Sequence, residues 1–250
     1  MINFLVELYR IKSHDWGSII RYHIEKDKLL LADEKVKYPK GCINFGLAHG
    51  IIAPLIALAK AKKYGYNVKG INATISGLRQ LYEKYSVRDM NILKYPTMLS
   101  VEDYFSNTVS KDSITYNAGW CYGNAGIVRG LMKVSYYLND NNNYQYYKKE
   151  LLSIINQELD NYNFDLPIVC HGYASVLSIQ ISAFRESGDK SFLITRERNM
   201  RQTIISHRNC IFNDEYTNDY SILSGESGTI LTLINGIYLS KEYPKLLMID

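Results

Sequence analysis

The sequence predicts an all-α protein built from repeated helical hairpins, on three observations. Four segments open with small residues three apart and continue as apolar runs, amphipathic stretches separate them, and strand signals are sparse. The openings are Gly50-Ile51-Ile52-Ala53, Gly123-Asn124-Ala125-Gly126, Gly172-Tyr173-Ala174-Ser175 and Gly225-Glu226-Ser227-Gly228, starting 73, 49 and 53 residues apart. The runs that follow (PLIALAKA, IVRGLMKV, VLSIQISAF, TILTLINGI) are apolar over most of a helical circumference, which marks buried helices. The stretches 71–85, 144–159 and 192–204 are more amphipathic and suit half-exposed partners. No Asn-Gly or Asp-Gly pair links two alternating runs. Small residues at the start of each inner helix allow close approach and leave the first backbone N–H groups accessible. If the inner helices run parallel, their N-termini gather at one end, where thiolates and anions are favoured. An ordinary helical bundle whose glycines only pack fits the same periodicity.

Composition narrows the class. A chain of 250 residues makes one large domain or two small ones. With 46 % hydrophobic and 22 % charged residues it folds around a core, which excludes a disordered chain, a collagen and a coiled coil. A net charge of +4 without a dense basic run gives no ground for nucleic-acid binding. The 22 tyrosines accompany many Ile, Lys and Asn and reflect base composition rather than a binding code. The longest apolar stretch, 45–59, is shorter than the ~20 residues of a membrane span and contains His49 and Pro54. Glu7, Arg10 and Lys12 interrupt the N-terminus where a signal peptide is apolar, so the chain reads as cytoplasmic. Cysteines at 42, 121, 170 and 210 are too few and too scattered for a disulfide framework.

Three of the four repeats carry a metal-ligating or proton-transferring residue at their opening. These are Gly46-Leu47-Ala48-His49-Gly50, Trp120-Cys121-Tyr122-Gly123 and Cys170-His171-Gly172. An adjacent Cys-His pair and a distant Cys in the same register would bring two thiolates and an imidazole together. That set leaves one position of a tetrahedral Zn²⁺ open, as catalytic zinc sites do. No C-x-x-C pair is present, and buried Cys is usually a small hydrophobe, so spacing alone leaves both readings open.

GLAHGI, WCYGNAGI and CHG, in this order and at these intervals, resemble the lanthionine synthetase C-like proteins, the lanthipeptide cyclases. Tyr22-His23-Ile24 through Tyr38-Pro39-Lys40-Gly41 is similar to the family's approach to its histidine motif, and Ser224–Gly228 to its last repeat. The resemblance implies an α/α toroid, an incomplete double ring of inner and outer helices, as a single domain over residues 1–250. It also implies that the chain lacks the family's N-terminal third. The implied activity is lantibiotic biosynthesis: a zinc-dependent cyclase adds Cys thiols of a precursor peptide to dehydroalanine or dehydrobutyrine, forming thioether rings. By motif, the ligands of one Zn²⁺ are Cys121, Cys170 and His171. His49 matches the acid/base histidine, Tyr122 an active-site tyrosine and Trp120 a neighbouring aromatic. The implied partners are the dehydrated precursor peptide, a dehydratase and an export transporter, with the protein at the edge of a membrane-associated complex and without a transmembrane segment.

Three positions depart from the family pattern. Asn117 stands where many members carry Arg, an active-site Asp has no counterpart, and Ser175 replaces a small Gly. A truncated, non-catalytic zinc-binding remnant or a peptide-binding partner subunit is therefore the alternative expectation. An unrelated enzyme on a similar toroid would need a D-D-x-x-D motif or paired carboxylates, and no D-D-x-x-D occurs. Cys42 reads as incidental. His207 and Cys210 read as loop or helix-end residues, and His14 and His23 belong to no motif. Glu226 either faces the same mouth or caps its helix.

Overall fold

The structure, a computed structural model, describes residues 1–213, 219–239, 245 and 247–249. They fall into two compact units, Met1–Thr115 with Lys133–Asn141, and Tyr116–Met132 with Asn142–Asp250.

In the first unit, α1 (Ile2–Glu7) precedes a hairpin of β1 (Ile11–His14) and β2 (Gly17–Ile20). A short α2 (Ala32–Lys37) leads to β3 (Cys42–Asn44), which pairs antiparallel with β6 (Met98–Ser100). Helix α3 (Ile52–Lys63) follows the first repeat opening and packs on α4 (Ile71–Lys84). Ile52, Leu55, Ile56, Leu58, Ala59 and Ala61 bury α3 on more than one face. Pro54 is tolerated because it sits in the first turn, where a backbone N–H has no intrahelical acceptor. Helix α4 buries one stripe, Ile71, Thr74, Ile75, Leu78 and Tyr82, at the spacing of a half-exposed helix. The Tyr82 hydroxyl donates to the Phe45 carbonyl at 2.7 Å and its ring meets Phe45 edge-on, which pins the strand leading into the His49 turn. The unit also contains a hairpin of β4 (Val87–Asp89) and β5 (Ile92–Lys94), followed by β6 and α5 (Val101–Ser106).

The six short strands among the described residues go beyond the sparse strand signals of the sequence. Met90 and Asn91, at φ 46° and 64°, close β4–β5. A two-residue turn with both φ positive is the tight hairpin form that normally recruits Asn-Gly. The Asn is present here, but Met in the first position hides the signature.

The second unit contains α7 (Asn141–Ile155, from Asn142 on), α8 (Tyr173–Ser187), α9 (Arg196–Phe212) and α10 (Glu226–Tyr238). Helix α6 (Asn124–Tyr137) has residues in both units. Every residue of α8 from Tyr173 to Ala183 is buried, as its all-round apolar run predicts. Its polar members are paired. Gln180 donates to Thr195 at 3.0 Å and accepts from Asn199 at 3.2 Å, and Ser178 meets Thr232 of α10 at 3.1 Å.

The four inner helices and three amphipathic partners thus stand where the periodicity expects them. Helix α9 extends to Phe212, beyond the expected 204. Its buried stripe is Asn199, Thr203, Ser206 and Cys210, which keeps helical spacing with residues too polar to register as an apolar face. His207 and Cys210 accordingly lie in its last turns. Among the described residues, no helix is long and apolar enough to cross a membrane.

Candidate metal centre

The four repeat openings share one loop, built mainly by backbone bonds. The residue after each repeat glycine donates its N–H to the carbonyl seven residues earlier: Ile51 to Asn44 (2.9 Å), Asn124 to Asn117 (3.0 Å), Tyr173 to Leu166 (3.1 Å) and Glu226 to Asp219 (2.9 Å). In three of the loops the first residue also bonds through its side chain. Asn44 Oδ1 accepts from the Gly46 N–H at 2.9 Å, Asn117 Oδ1 from Gly119 at 3.0 Å, and Asp219 Oδ1 from Ser221 at 2.8 Å. The third loop has Leu166 in that place, followed by Pro167, whose ring fixes φ instead. The loop wraps so tightly that a Cβ at Gly123 would overlap the Gly119 backbone, and one at Gly172 the backbone of Leu166 and Ile168. Glycine is required there by close approach.

This shared register sets the chemistry. The two positions before the glycine are Ala48-His49, Cys121-Tyr122, Cys170-His171 and Leu223-Ser224. Cys121 donates its N–H to the Cys170 carbonyl at 3.1 Å, and Cys170 donates to the Leu223 carbonyl at 2.9 Å. Equivalent residues of consecutive repeats are therefore stitched together just ahead of α6, α8 and α10. The stitching brings Cys121, Cys170 and His171 into one cluster, with their ligand atoms all within 4.8 Å of one another. Cys121 is buried, Cys170 half-buried and His171 exposed, so the cluster opens to solvent on the imidazole side.

The Cys121 and His171 side chains both hydrogen-bond with Cys170. The Cys121 thiol is pushed well above its usual range, first by its hydrogen bond with Cys170, then by burial and by the charge of Cys170. His171 is raised mainly by its hydrogen bond with Cys170. Two sulfurs and one nitrogen form a donor set of the right softness and number for a divalent cation. The residues present fit a metal.

The remaining predicted residues have definite places. Tyr122 is half-buried beside Cys121, and Trp120 is buried with Nε1 donating to the Leu247 carbonyl at 2.8 Å. His49 is exposed in the turn that opens α3, in the register of Tyr122 and His171. Cys42 is buried in β3, where burial pushes its thiol up to about 12, consistent with an inert core residue. Glu226 begins α10 with a carboxylate oxygen 3.5 Å from His207 Nε2 of α9. His14 stacks on Trp16 at 4.4 Å between ring centroids, and the His23 ring bonds to the Lys40 carbonyl at 2.7 Å. The reading of motifs missed Gly119. Its backbone packs on His171 so closely that a Cβ would stand 3.2 Å from the His171 Cα. The signal was in the sequence: Asx-x-small recurs at Asn44-x-Gly46, Asn117-x-Gly119 and Asp219-x-Ser221.

A helical fold with repeat openings of this kind defines a class, and comparison with known proteins identifies it. The family model described as lanthionine synthetase C-like protein matches residues 2–248, and the chain belongs to that family. The nisin biosynthesis protein NisC of Lactococcus lactis subsp. lactis is 27 % identical over 181 residues, which is 72 % of this chain and 41 % of that protein. Among solved structures, nisin cyclase superposes on the whole of this chain with a TM-score of 0.80 and 25 % identity, the match taking up 60 % of its own length. The chain therefore spans less than two thirds of the length of the relatives it matches. Its fold class is that of nisin cyclase, an α/α toroid.

Proposed function

We propose that this chain, read as one domain over residues 1–250, is a zinc-dependent lanthionine synthetase of lantibiotic biosynthesis. It would act in the cytoplasm on a dehydrated precursor peptide, alongside a dehydratase and an export transporter. The observation that carries this reading is the convergence of Cys121, Cys170 and His171 within 4.8 Å in a chain of this family. These three residues would hold one Zn²⁺ and leave its fourth position open. When bound, zinc supplies the Lewis acidity that makes a peptide thiol anionic at neutral pH and fixes its sulfur.

The chain's own residues supply the rest. His49 takes the thiol proton on an imidazole nitrogen and returns a proton to the α-carbon of the dehydro residue after sulfur has joined the β-carbon. One S–H bond and one C=C π bond are lost, and one S–C and one C–H bond are gained, so the addition needs no oxidant. Tyr122, adjacent to a ligand, offers its hydroxyl to orient the peptide. Loss of one such polar contributor costs ~10²–10³ in rate.

The test pairs elemental analysis of the purified protein with a count of free thiols in a dehydrated precursor incubated with it. One zinc per chain, none in Cys121→Ala, and progressive loss of thiol are expected. A metal-free wild type would overturn the reading. A second reading, a zinc-holding partner subunit without turnover, is favoured by Asn117, whose side chain is engaged within its own loop. Stoichiometric zinc with no loss of thiol would select it.

A further inference from the structure

We propose that Asn117 is a positioning residue of the metal centre, presetting the loop that presents Cys121. This rests on reading Cys121, Cys170 and His171 as ligands. Both ends of the loop close on this one residue. The Asn117 carbonyl accepts the Asn124 N–H at 3.0 Å, and its Oδ1 accepts the Gly119 N–H at 3.0 Å. The turn carrying Cys121 lies between those two anchor points. Gly123, two residues past Cys121, presses on Asn117 Oδ1 and on Gly119 so closely that a Cβ would overlap both. Gly119 in turn accepts the Gly126 N–H at 3.1 Å and forms the surface against which His171 sits. A single amide side chain thus holds the residue that abuts one ligand and the turn that carries another.

The other repeats separate this role from ordinary loop closure. Asn44 and Asp219 make the same side-chain bond in loops that carry no thiol, at 2.9 and 2.8 Å. The acceptor therefore belongs to the shape of the loop, and in the second repeat alone that shape delivers Cys121. Asp219 further shows that a carboxylate oxygen serves as well as the amide oxygen.

The test measures zinc affinity of the full chain by competition with a chromophoric chelator, together with amide exchange at Gly119. Asn117→Leu removes the acceptor, and zinc affinity is expected to fall by about 10–100-fold, the usual effect of losing a residue that orients a ligand. Asn117→Asp should keep wild-type affinity. Asn44→Leu should lower the melting temperature while leaving zinc affinity unchanged. Should Asn117→Leu fail to fold, Asn117→Ser, with its shorter and weaker acceptor, is expected to fall between Asp and Leu. The proposal is overturned if Asn117→Leu or Asn117→Ser binds zinc like wild type, if Asn117→Asp loses as much as Asn117→Leu, or if Asn44→Leu loses affinity equally. If wild type binds no zinc, the ligand reading fails instead. Exchange at Gly119 then decides: faster in the Leu or Ser variant than in Asn117→Asp supports the role of Asn117, and equal rates overturn it.

Discussion

Arg129 is fully buried on an inner helix, a position where a charge is expensive unless it is paired and hydrogen-bonded. It is both. The guanidinium forks onto Glu186 at 2.8 and 3.1 Å, and its Nε and Nη2 donate to the Ile249 carbonyl at 2.9 and 2.6 Å. The Ser182 hydroxyl donates to the same carbonyl, and Trp120 holds the neighbouring Leu247. The chain near Ile249 is thereby tied to the helix that follows Cys121. Arg129→Met takes the guanidinium away from Glu186, whose side chain is 9 % exposed, and is expected to cost about 3–5 kcal/mol, while pairing it with Glu186→Leu recovers much of that loss. Urea unfolding of the single and double variants checks both. Asp189 offers a pH-dependent counterpart. Its carboxylate accepts from the Ser191 N–H at 2.9 Å and sits 3.0 Å from Lys148, and these contacts lower its pKa to about 2. A depressed folded pKa contributes stability above the unfolded value of 3.8 and loses it as pH falls toward 2. The urea midpoint of Asp189→Asn should therefore lie below wild type at pH 6 and meet it near pH 2. A gap that persists at pH 2 would refute the assignment.

The elements repeat one register, and the register decides which apolar residues are structural. Counting from each repeat glycine, Ala59, Met132, Ile181 and Ile234 are equivalent. The first three are completely buried, whereas Ile234 on α10 is 44 % exposed. Its helix neighbours Ile230, Leu231 and Ile237 are exposed on the same side. Ile181→Ala is expected to cost about 2–5 kcal/mol through lost burial and a cavity. Ile234→Ala should cost roughly 1 kcal/mol or less, since little area leaves water there to begin with. Chemical denaturation of the two variants side by side tests this, and equal losses would mean that α10 is covered in solution. Hydropathy could not see the difference, because TILTLINGI reads as apolar as VLSIQISAF. Periodicity records which faces are greasy, and only packing records which are covered. For the same reason the sequence revealed the buried helices but missed the end of α9, whose inward stripe is Asn199, Thr203, Ser206 and Cys210. The β4–β5 hairpin was missed because Met90 occupies a positive-φ site usually given to Asn or Gly.

At the scale of the whole chain, the legible part of the candidate site was its ligand set. Cys121 and Cys170 share one register position and His171 takes the next, so aligning the repeats brings the three together, and the fold gathers them. The supporting shell was harder to see. Asn117 looked like a missing Arg, and its loop bond depends on backbone geometry that residue identity alone does not display. The fold holds the three ligand atoms near one another through backbone bonds between loops far apart in sequence, Cys121 to Cys170 and Cys170 to Leu223. An unfolded chain has no such assembly, so a metal that binds here binds the native state and stabilises it by mass action. With free zinc at a thousand times its dissociation constant, the gain is about 4 kcal/mol. Melting temperature should therefore climb with zinc concentration in wild type and stay flat in Cys121→Ala. A Gly119→Ala variant should show a weakened climb, because its Cβ crowds the His171 backbone and tilts one ligand away from the other two. A scan of melting temperature against zinc for the three proteins reads all of this at once. A wild type whose curve does not move would mean that the converged side chains only pack.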